Sequence, residues 1–446
     1  MNGYTPKTQR KIAAAIIVLS LLAIISITLA AILLGGESFE KKQLKRAVSG
    51  ALPEEASTVA DCLIFWGFPE FSEAIVEAIE IRYISYYYKD IPDTQTVARD
   101  TANHYIDNFF DTVDKSDPDA TTEAVAKSYI SAVGDTYGYY RTPVMADEFN
   151  NDMSGKVVGI GVTVTRNVEF GIPIIDVIED SPAMKSGLKI GDLIIAIDGE
   201  STVGGDYDAS LNKIRGEIGT SVDITVKRGD EEITVTCERA DVIQRTVSAS
   251  MLDGNIAYIK ITSFKANTDE IFAEELDKLL AKGAKGIIFD LSVNPGGYLN
   301  SVTNMLSYLT PTGTKLAAFS SEKPPIYSVH GTSGEPEDSV LTIPAVVICS
   351  ENTASAGELF TGAVKDFREM GLMESTVVGR TTYKKGVMQS TFQLGGGNTI
   401  TVTTAYYYSP LGSNNDIDGV SPDVFVEEGV DFLPTALEEM NKLLAD

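Results

Sequence analysis

The chain has 446 residues, 43% hydrophobic and 22% charged, with a net charge of −27 at neutral pH. That length supports two or three cored domains. The acidity excludes nucleic acid as a natural partner, because a phosphate backbone is held by a basic surface. Three cysteines, Cys62, Cys237 and Cys349, are too few and too scattered for a disulfide framework or a zinc site; no metal or cofactor is implied.

In chain order, the first element is an uncharged run at residues 12–34, bounded by Arg10 and Lys11. As a helix it would be about 34 Å long, enough to cross a hydrocarbon core of about 30 Å. Lys7, Arg10 and Lys11 precede it, which predicts a cytoplasmic tip and an extracytoplasmic remainder. A cleaved signal peptide is the competing reading, but its apolar region is usually about 7–15 residues. The expectation is therefore an uncleaved, single-pass anchor in the cell membrane.

Residues 54–150 carry apolar side chains at helical spacing, as in Ala74, Ile75, Val76, Ala78, Ile79 and Ile81, and predict a helical region interrupted by the polar stretch 115–122. The tyrosines at 83 and 86–88 are read as core. Near Lys156 the period changes to two, with Val158, Ile160, Val162 and Val164 alternating along a strand. Further strands are predicted at 171–178 and 192–197, and a hairpin at 221–237 turns at Arg228-Gly229-Asp230. After Gly254 strands at 256–261, 286–291 and 345–349 alternate with helices at 269–282 and 298–309, the order of a mixed or parallel sheet. Ligand sites in such sheets gather at the carboxyl ends of strands, where loops 292–297 and 350–355 fall.

The segment Asn352-Thr353-Ala354-Ser355-Ala356-Gly357-Glu358 joins a buried strand to an apolar-periodic helix. A serine at that corner stands beside free backbone N–H groups and the positive end of a helix dipole. The bland reading, a helix cap, is here taken by Thr353. No histidine follows Ser355, so an α/β-hydrolase triad in that chain order fails. A neutral lysine can serve as base instead, once burial supplies roughly 4 kcal/mol to lower its pKa. Lys365 lies ten residues along the same helix, about 15 Å away, and is out of reach; Asp366, next to it, is structural by the same argument. Lys384 and Lys385 both remain, and in an extended segment they would point in opposite directions. The loop Asn294-Pro295-Gly296-Gly297 can supply a second oxyanion donor, although by composition alone it reads as a plain turn. Two SxxK segments, at 186–189 and 320–323, are read as chance.

Together these motifs resemble the carboxyl-terminal processing proteases, serine peptidases with a Ser/Lys dyad and a PDZ domain. Gly134-Asp135-Thr136-Tyr137 through Arg141-Thr142-Pro143 resembles the segment before the family's PDZ domain. Gly159-Ile160-Gly161-Val162 is similar to the PDZ carboxylate-binding loop, and Ser181-Pro182-Ala183, Gly187-Leu188, Gly191-Asp192 and Asp198-Gly199 to the PDZ core signature. Asp290-Leu291-Ser292-Val293-Asn294-Pro295-Gly296-Gly297 resembles D-L-R-x-N-P-G-G, Thr353 to Glu358 resembles S-A-S-A-S-E, and Lys384-Lys385-Gly386-Val387-Met388-Gln389 resembles G-K-G-x-x-Q. Thr403-Thr404-Ala405-Tyr406-Tyr407-Tyr408-Ser409-Pro410 and Gly419-Val420-Ser421-Pro422-Asp423 match the last motifs.

The resemblance implies Ser355 as nucleophile, Lys385 as base, Gln389 orienting that lysine, and Ala356 with Gly296 or Gly297 as the oxyanion hole. It implies peptide tails bound at Gly159, Ile160, Gly161 and Val162 by strand addition. The expected organisation is mixed α/β and multidomain: an anchor at 1–36, a helical region at 37–150, a PDZ domain at 151–243 and a protease core at 244–446 whose last part packs back on the helical region. Protein substrates with accessible C-termini are the expected partners, and a homodimer through 54–150 is a further reading. Ser292, Gly357 and Lys384 depart from the family pattern of arginine, serine and glycine. The first would weaken the bracing of loop 294–297 and the last would crowd the site, which motivates the alternative of an inert PDZ scaffold.

Overall fold

A computed structural model describes residues 39–50, 62, 93–320, 327–330, 342–416 and 418–445. The apolar run at 12–34 and the tyrosines at 83 and 86–88 lie outside them. No helix among the described residues is long and apolar enough to cross a membrane. The chain divides into two compact units, Met1–Pro143 with Gln389–Thr403, and Val144–Met388 with Thr404–Asp446.

The first unit contains helices Phe39–Val48, Thr94–Asn108 and Pro118–Val133. The helical region does break, but over 109–117, and the second half of the polar stretch 115–122 starts the next helix. Asp117 accepts the N–H groups of Asp119 and Ala120, and Pro118 fills the first helical position, where a missing N–H is harmless. Gly134, at φ +67°, ends that helix in the left-handed conformation. A strand at Tyr139–Arg141, absent from the helical reading, pairs antiparallel with residues 399–401 of the strand Thr399–Tyr408. Val97, Tyr105, Ile106, Val125 and Tyr129 share one core with Tyr140, Ile400 and Val402.

In the second unit a small β domain comes first. Its main sheet runs from Val162–Val164 through Ile172–Val177 and Leu193–Ile197 to the hairpin Ser221–Arg228 and Glu231–Glu238. The single alternating strand expected through Val158 to Val164 is two strands. Gly161 takes φ +85° between them, so Lys156–Gly159 pairs instead with Ala240–Ile243. Ile160, Ile172, Ile194, Ile197, Val222 and Ile224 fill the core.

The second sheet has the order Val247–Leu252, Ile256–Ile261, Gly286–Asp290, Ala345–Cys349, Ser375–Gly379, Val424–Phe425. Its first pair is antiparallel and the rest are parallel. Period-two patterning divides its strands between two cores. Ile287, Phe289 and Val347 pack with Phe272, Leu306, Phe360 and Phe367 from three helices, whereas Ile288, Val346 and Ile348 pack with Ala436 and Met440 of helix Phe432–Leu443. Both faces are therefore dry, and the exits at the carboxyl ends of the parallel strands are where polar chemistry can reach solvent.

Candidate active site

Strand Ala345–Cys349 is followed by a turn and by helix Ala356–Glu369. Ser355 stands between them at φ +54°, ψ −118°, a conformation that a non-glycine residue adopts only under constraint. Ser355 itself is the N-cap. Thr353, expected in that role, is occupied elsewhere: its hydroxyl donates to the Leu291 carbonyl at 2.8 Å and accepts from the Ser350 N–H.

The constraint on Ser355 is a buried carboxylate. Glu358, fully buried in the first turn of the helix, accepts the Ser355 N–H on Oε2 at 2.9 Å and the Lys385 N–H on the same oxygen at 2.8 Å. Its Oε1 accepts from the Lys384 N–H at 2.8 Å and from the Thr382 hydroxyl at 2.5 Å. Burial pushes the Glu358 carboxyl above its ordinary range, against the pull of those four donors. The Tyr407 hydroxyl lies 2.5 Å from the Lys385 carbonyl oxygen and 3.0 Å from that of Ser355, tying the two segments a second time. The backbones of Ser355 and Lys385, 30 positions apart, are thus fixed to one carboxylate and one phenol. The segment before Gly386 is not extended, since Lys384 has φ +78°, so the alternation that would set the two lysines in opposite directions does not apply. Lys384 does not fill the site: its side chain is exposed.

Loop 294–297 packs directly on this corner. The Ala354 N–H donates to the Asn294 carbonyl at 2.9 Å, and a Cβ on Gly296, at φ +105°, would stand 2.8 Å from the Ser355 Cβ. A Cβ on Gly297 would meet the Phe264 carbonyl oxygen at 2.0 Å, so neither glycine is replaceable. The Gly296 N–H is committed to Asn294 Oδ1 at 2.8 Å, which removes Gly296 as an oxyanion donor. The N–H groups of Gly297 and Ala356 donate to no acceptor among the described residues. Bracing does not depend on an arginine at 292. Ser350 Oγ donates to the Ser292 carbonyl at 2.5 Å, and the fully buried Asn294 donates through Nδ2 to the Ile261 carbonyl at 3.0 Å. Gly357, in place of the family's serine, leaves room for the Asn294 carbonyl, which a Cβ would approach to 3.0 Å.

Of the remaining residues named from sequence, Gln389 donates through Nε2 to Thr403 Oγ1 at 3.2 Å, within the first unit. Gly159, Ile160, Gly161 and Val162 line a groove of about 730 Å³ with Val164, Tyr207, Leu211 and Ile214. Val162–Val164 is an edge strand there, the geometry that accepts an added strand. The groove continues to Thr262, Ser263 and Lys265. Ser263 Oγ and the Phe264 N–H both donate to the Gly296 carbonyl, at 3.2 and 2.9 Å, so one wall of the groove is chained to loop 294–297.

Sequence reasoning missed Glu358 as the organiser of the corner, although Ser355 and Glu358 have the S-x-x-E capping-box spacing that announces it. The Tyr407 and Thr382 contacts carry no local signal.

Residues 255–426 match peptidase family S41, and residues 157–238 match the PDZ domain. Over residues 255–426 the chain is similar to peptidase family S41, with a PDZ-like segment before it. It is 31% identical over 328 residues to the carboxy-terminal processing protease CtpB of Bacillus subtilis (strain 168), covering 71% of this chain and 65% of that protein. With a probable CtpA-like serine protease of Staphylococcus haemolyticus it shares 29% identity over 318 residues, covering 70% and 62%. The chain thus spans less than two thirds of the length of these curated relatives. A crystal structure of a "putative S41 protease" from Bacteroides fragilis NCTC 9343 has the same fold, at 14% identity and a TM-score of 0.50 over 83% of this chain and 96% of that one.

Proposed function

We propose that this chain is a membrane-anchored, extracytoplasmic serine endopeptidase that takes protein tails into its PDZ groove and cleaves with a Ser355/Lys385 dyad. The observation that carries the reading is the Glu358 carboxylate, which holds the backbone N–H of both residues on one oxygen. In the mechanism, the neutral Lys385 amine takes the proton of the Ser355 hydroxyl as Oγ attacks the peptide carbonyl. The tetrahedral oxyanion is met by the open N–H groups of Gly297 and Ala356, and the lysine returns its proton to the leaving amine. Gln389 is assigned by the family resemblance to orient the amine.

Ala354, Ala356 and Glu358 are all buried beside Ser355, which keeps solvent from that side of the corner. The chain of contacts from the groove through Ser263 to Gly296 supports a second step, in which an occupied groove steadies the oxyanion loop and shifts the population towards the competent arrangement. The anchor rests on the apolar run at 12–34.

The test is cleavage of an unfolded protein by the full chain in detergent micelles. Activity is expected in the wild type and absent in Ser355→Ala and Lys385→Ala. An Ser355→Ala protein as active as the wild type removes the dyad; an inert wild type that still binds tails returns the scaffold reading.

A further inference from the structure

Five non-glycine residues among those described have a left-handed φ: Asp180, Asp198, Asn255, Ser355 and Lys384. Aspartate and asparagine tolerate that region because their short side chains bond locally. Ser355 at +54° and Lys384 at +78° have no such excuse, and both donate their N–H to the same Glu358 carboxylate, to Oε2 and Oε1. The turn at Ser355 presents a hydroxyl. The turn at Lys384 needs only what glycine supplies at less cost, so the lysine is explained by its side chain.

The residue is exposed, with its Cγ passing over Gly419, where a Cβ would stand 3.1 Å from it. Among the described residues its amine has no carboxylate within 4.0 Å, although Asp416 lies beside the neighbouring Gly386, whose N–H reaches Asp416 Oδ1 at 3.3 Å. On a chain with a net charge of −27, this is a cation with no ion-pair partner among the described residues, carried on a backbone that the Glu358 carboxylate holds together with those of Ser355 and Lys385. Local charge of that sign draws a carboxylate and repels an ammonium.

We propose that Lys384 is a specificity-determining residue that selects substrates with an acidic side chain within two residues of the scissile bond. The proposal rests on the protease reading of Ser355 and Lys385. The experiment uses the full chain in detergent with peptides identical except for Glu, Gln or Lys walked through the two positions on each side of the bond cut. At one of these positions Glu is expected over Gln by about five-fold in kcat/KM, the range of a solvent-exposed ion pair, and the preference should shrink in high salt. Lys384→Gly should bring the Glu/Gln ratio to one, Lys384→Glu should turn the preference towards Lys, and Lys384→Arg should keep it. Each ratio is internal to one variant, so a change in overall rate does not disturb it. A wild-type ratio of one at all four positions, or a ratio unchanged in Lys384→Gly, overturns the proposal while leaving the protease reading intact. If the wild type cuts no peptide, or Ser355→Ala cuts as well, the protease reading fails and this one with it.

Discussion

The 159–162 loop of the β domain and the Ser355 corner both need backbone angles that most side chains resist, and they meet the need in opposite ways. In the β domain the angle falls on Gly161, where a Cβ would stand 2.3 Å from that of Ser181. At the corner it falls on Ser355 and Lys384, each strained by roughly 1–3 kcal/mol. Where only backbone N–H groups have to be aimed, glycine suffices. Where a side chain must be presented from the same kind of turn, the strain is retained and Glu358 offsets it with four accepted hydrogen bonds.

The sharpest way to break that contrast is at a glycine of the corner itself. Gly297→Ala forces a Cβ to 2.0 Å from the Phe264 carbonyl oxygen and so breaks the parallel bridge between those residues. It should lower kcat/KM on the order of 10³-fold, the loss expected for one oxyanion donor, with groove affinity for a tail peptide retained. Near-wild-type turnover in this variant would show that loop 294–297 does not hold the oxyanion.

Glu358→Gln tests whether the clamp offsets the strain. An amide leaves one carbonyl oxygen and sets an NH₂ group against N–H donors, so at least one buried donor is left unpaired. Stability should fall by about 2–3 kcal/mol, read by denaturant unfolding, and kcat by about 10²-fold as Ser355 and Lys385 lose a common support. If stability falls and kcat does not, Glu358 supports the fold and not the reaction.

Much of this was legible in the sequence, and the misses have physical reasons. The parallel strands announced themselves as apolar runs because both sheet faces are buried, as at residues 345–349. The start of helix Pro118–Val133 was hidden because Asp117-Pro118 is a cap and its polar residues read as a break. The strand Tyr139–Arg141 was invisible because its partner lies some 260 residues away. At the corner, Ser355 could be named from its strand-turn-helix setting, whereas the choice of Lys385 over Lys384 required the family pattern. That the Gly296 N–H is taken by the side chain of Asn294, while that of Gly297 is not, is a tertiary fact that no local pattern contains.

On the other side of the comparison, the β domain depends on an ion pair beneath its glycine turns. Asp192, almost fully buried, receives Arg228 through two bonds at 2.7 and 2.8 Å and the Lys189 N–H. The hydrogen bond from Arg228, outweighing burial, holds its carboxyl below the ordinary range. A depressed folded pKa gives stability that is present above the unfolded value near 3.9 and is lost as pH falls through the lower folded value. Asp192→Asn should therefore cost about 1–2 kcal/mol at neutral pH and flatten acid unfolding of this domain below pH 4, followed by hydrogen exchange of its amides. Catalytic constants on a short peptide without a tail should move far less than in the Glu358 variant.

The smallest effect has the opposite sign. Lys384→Gly relieves a φ of +78°, so it should stabilise the chain by about 1 kcal/mol, a rise in Tm of roughly 2–4 °C for a unit of this size. Lys384→Ala removes the same amine but keeps a Cβ in the turn, and should leave Tm where it was. A rise in both would trace the effect to the lost charge rather than to the backbone. A rise in glycine alone means that the corner holds a lysine against its own stability, as it holds Ser355, while the Gly161 loop of the β domain carries no such load.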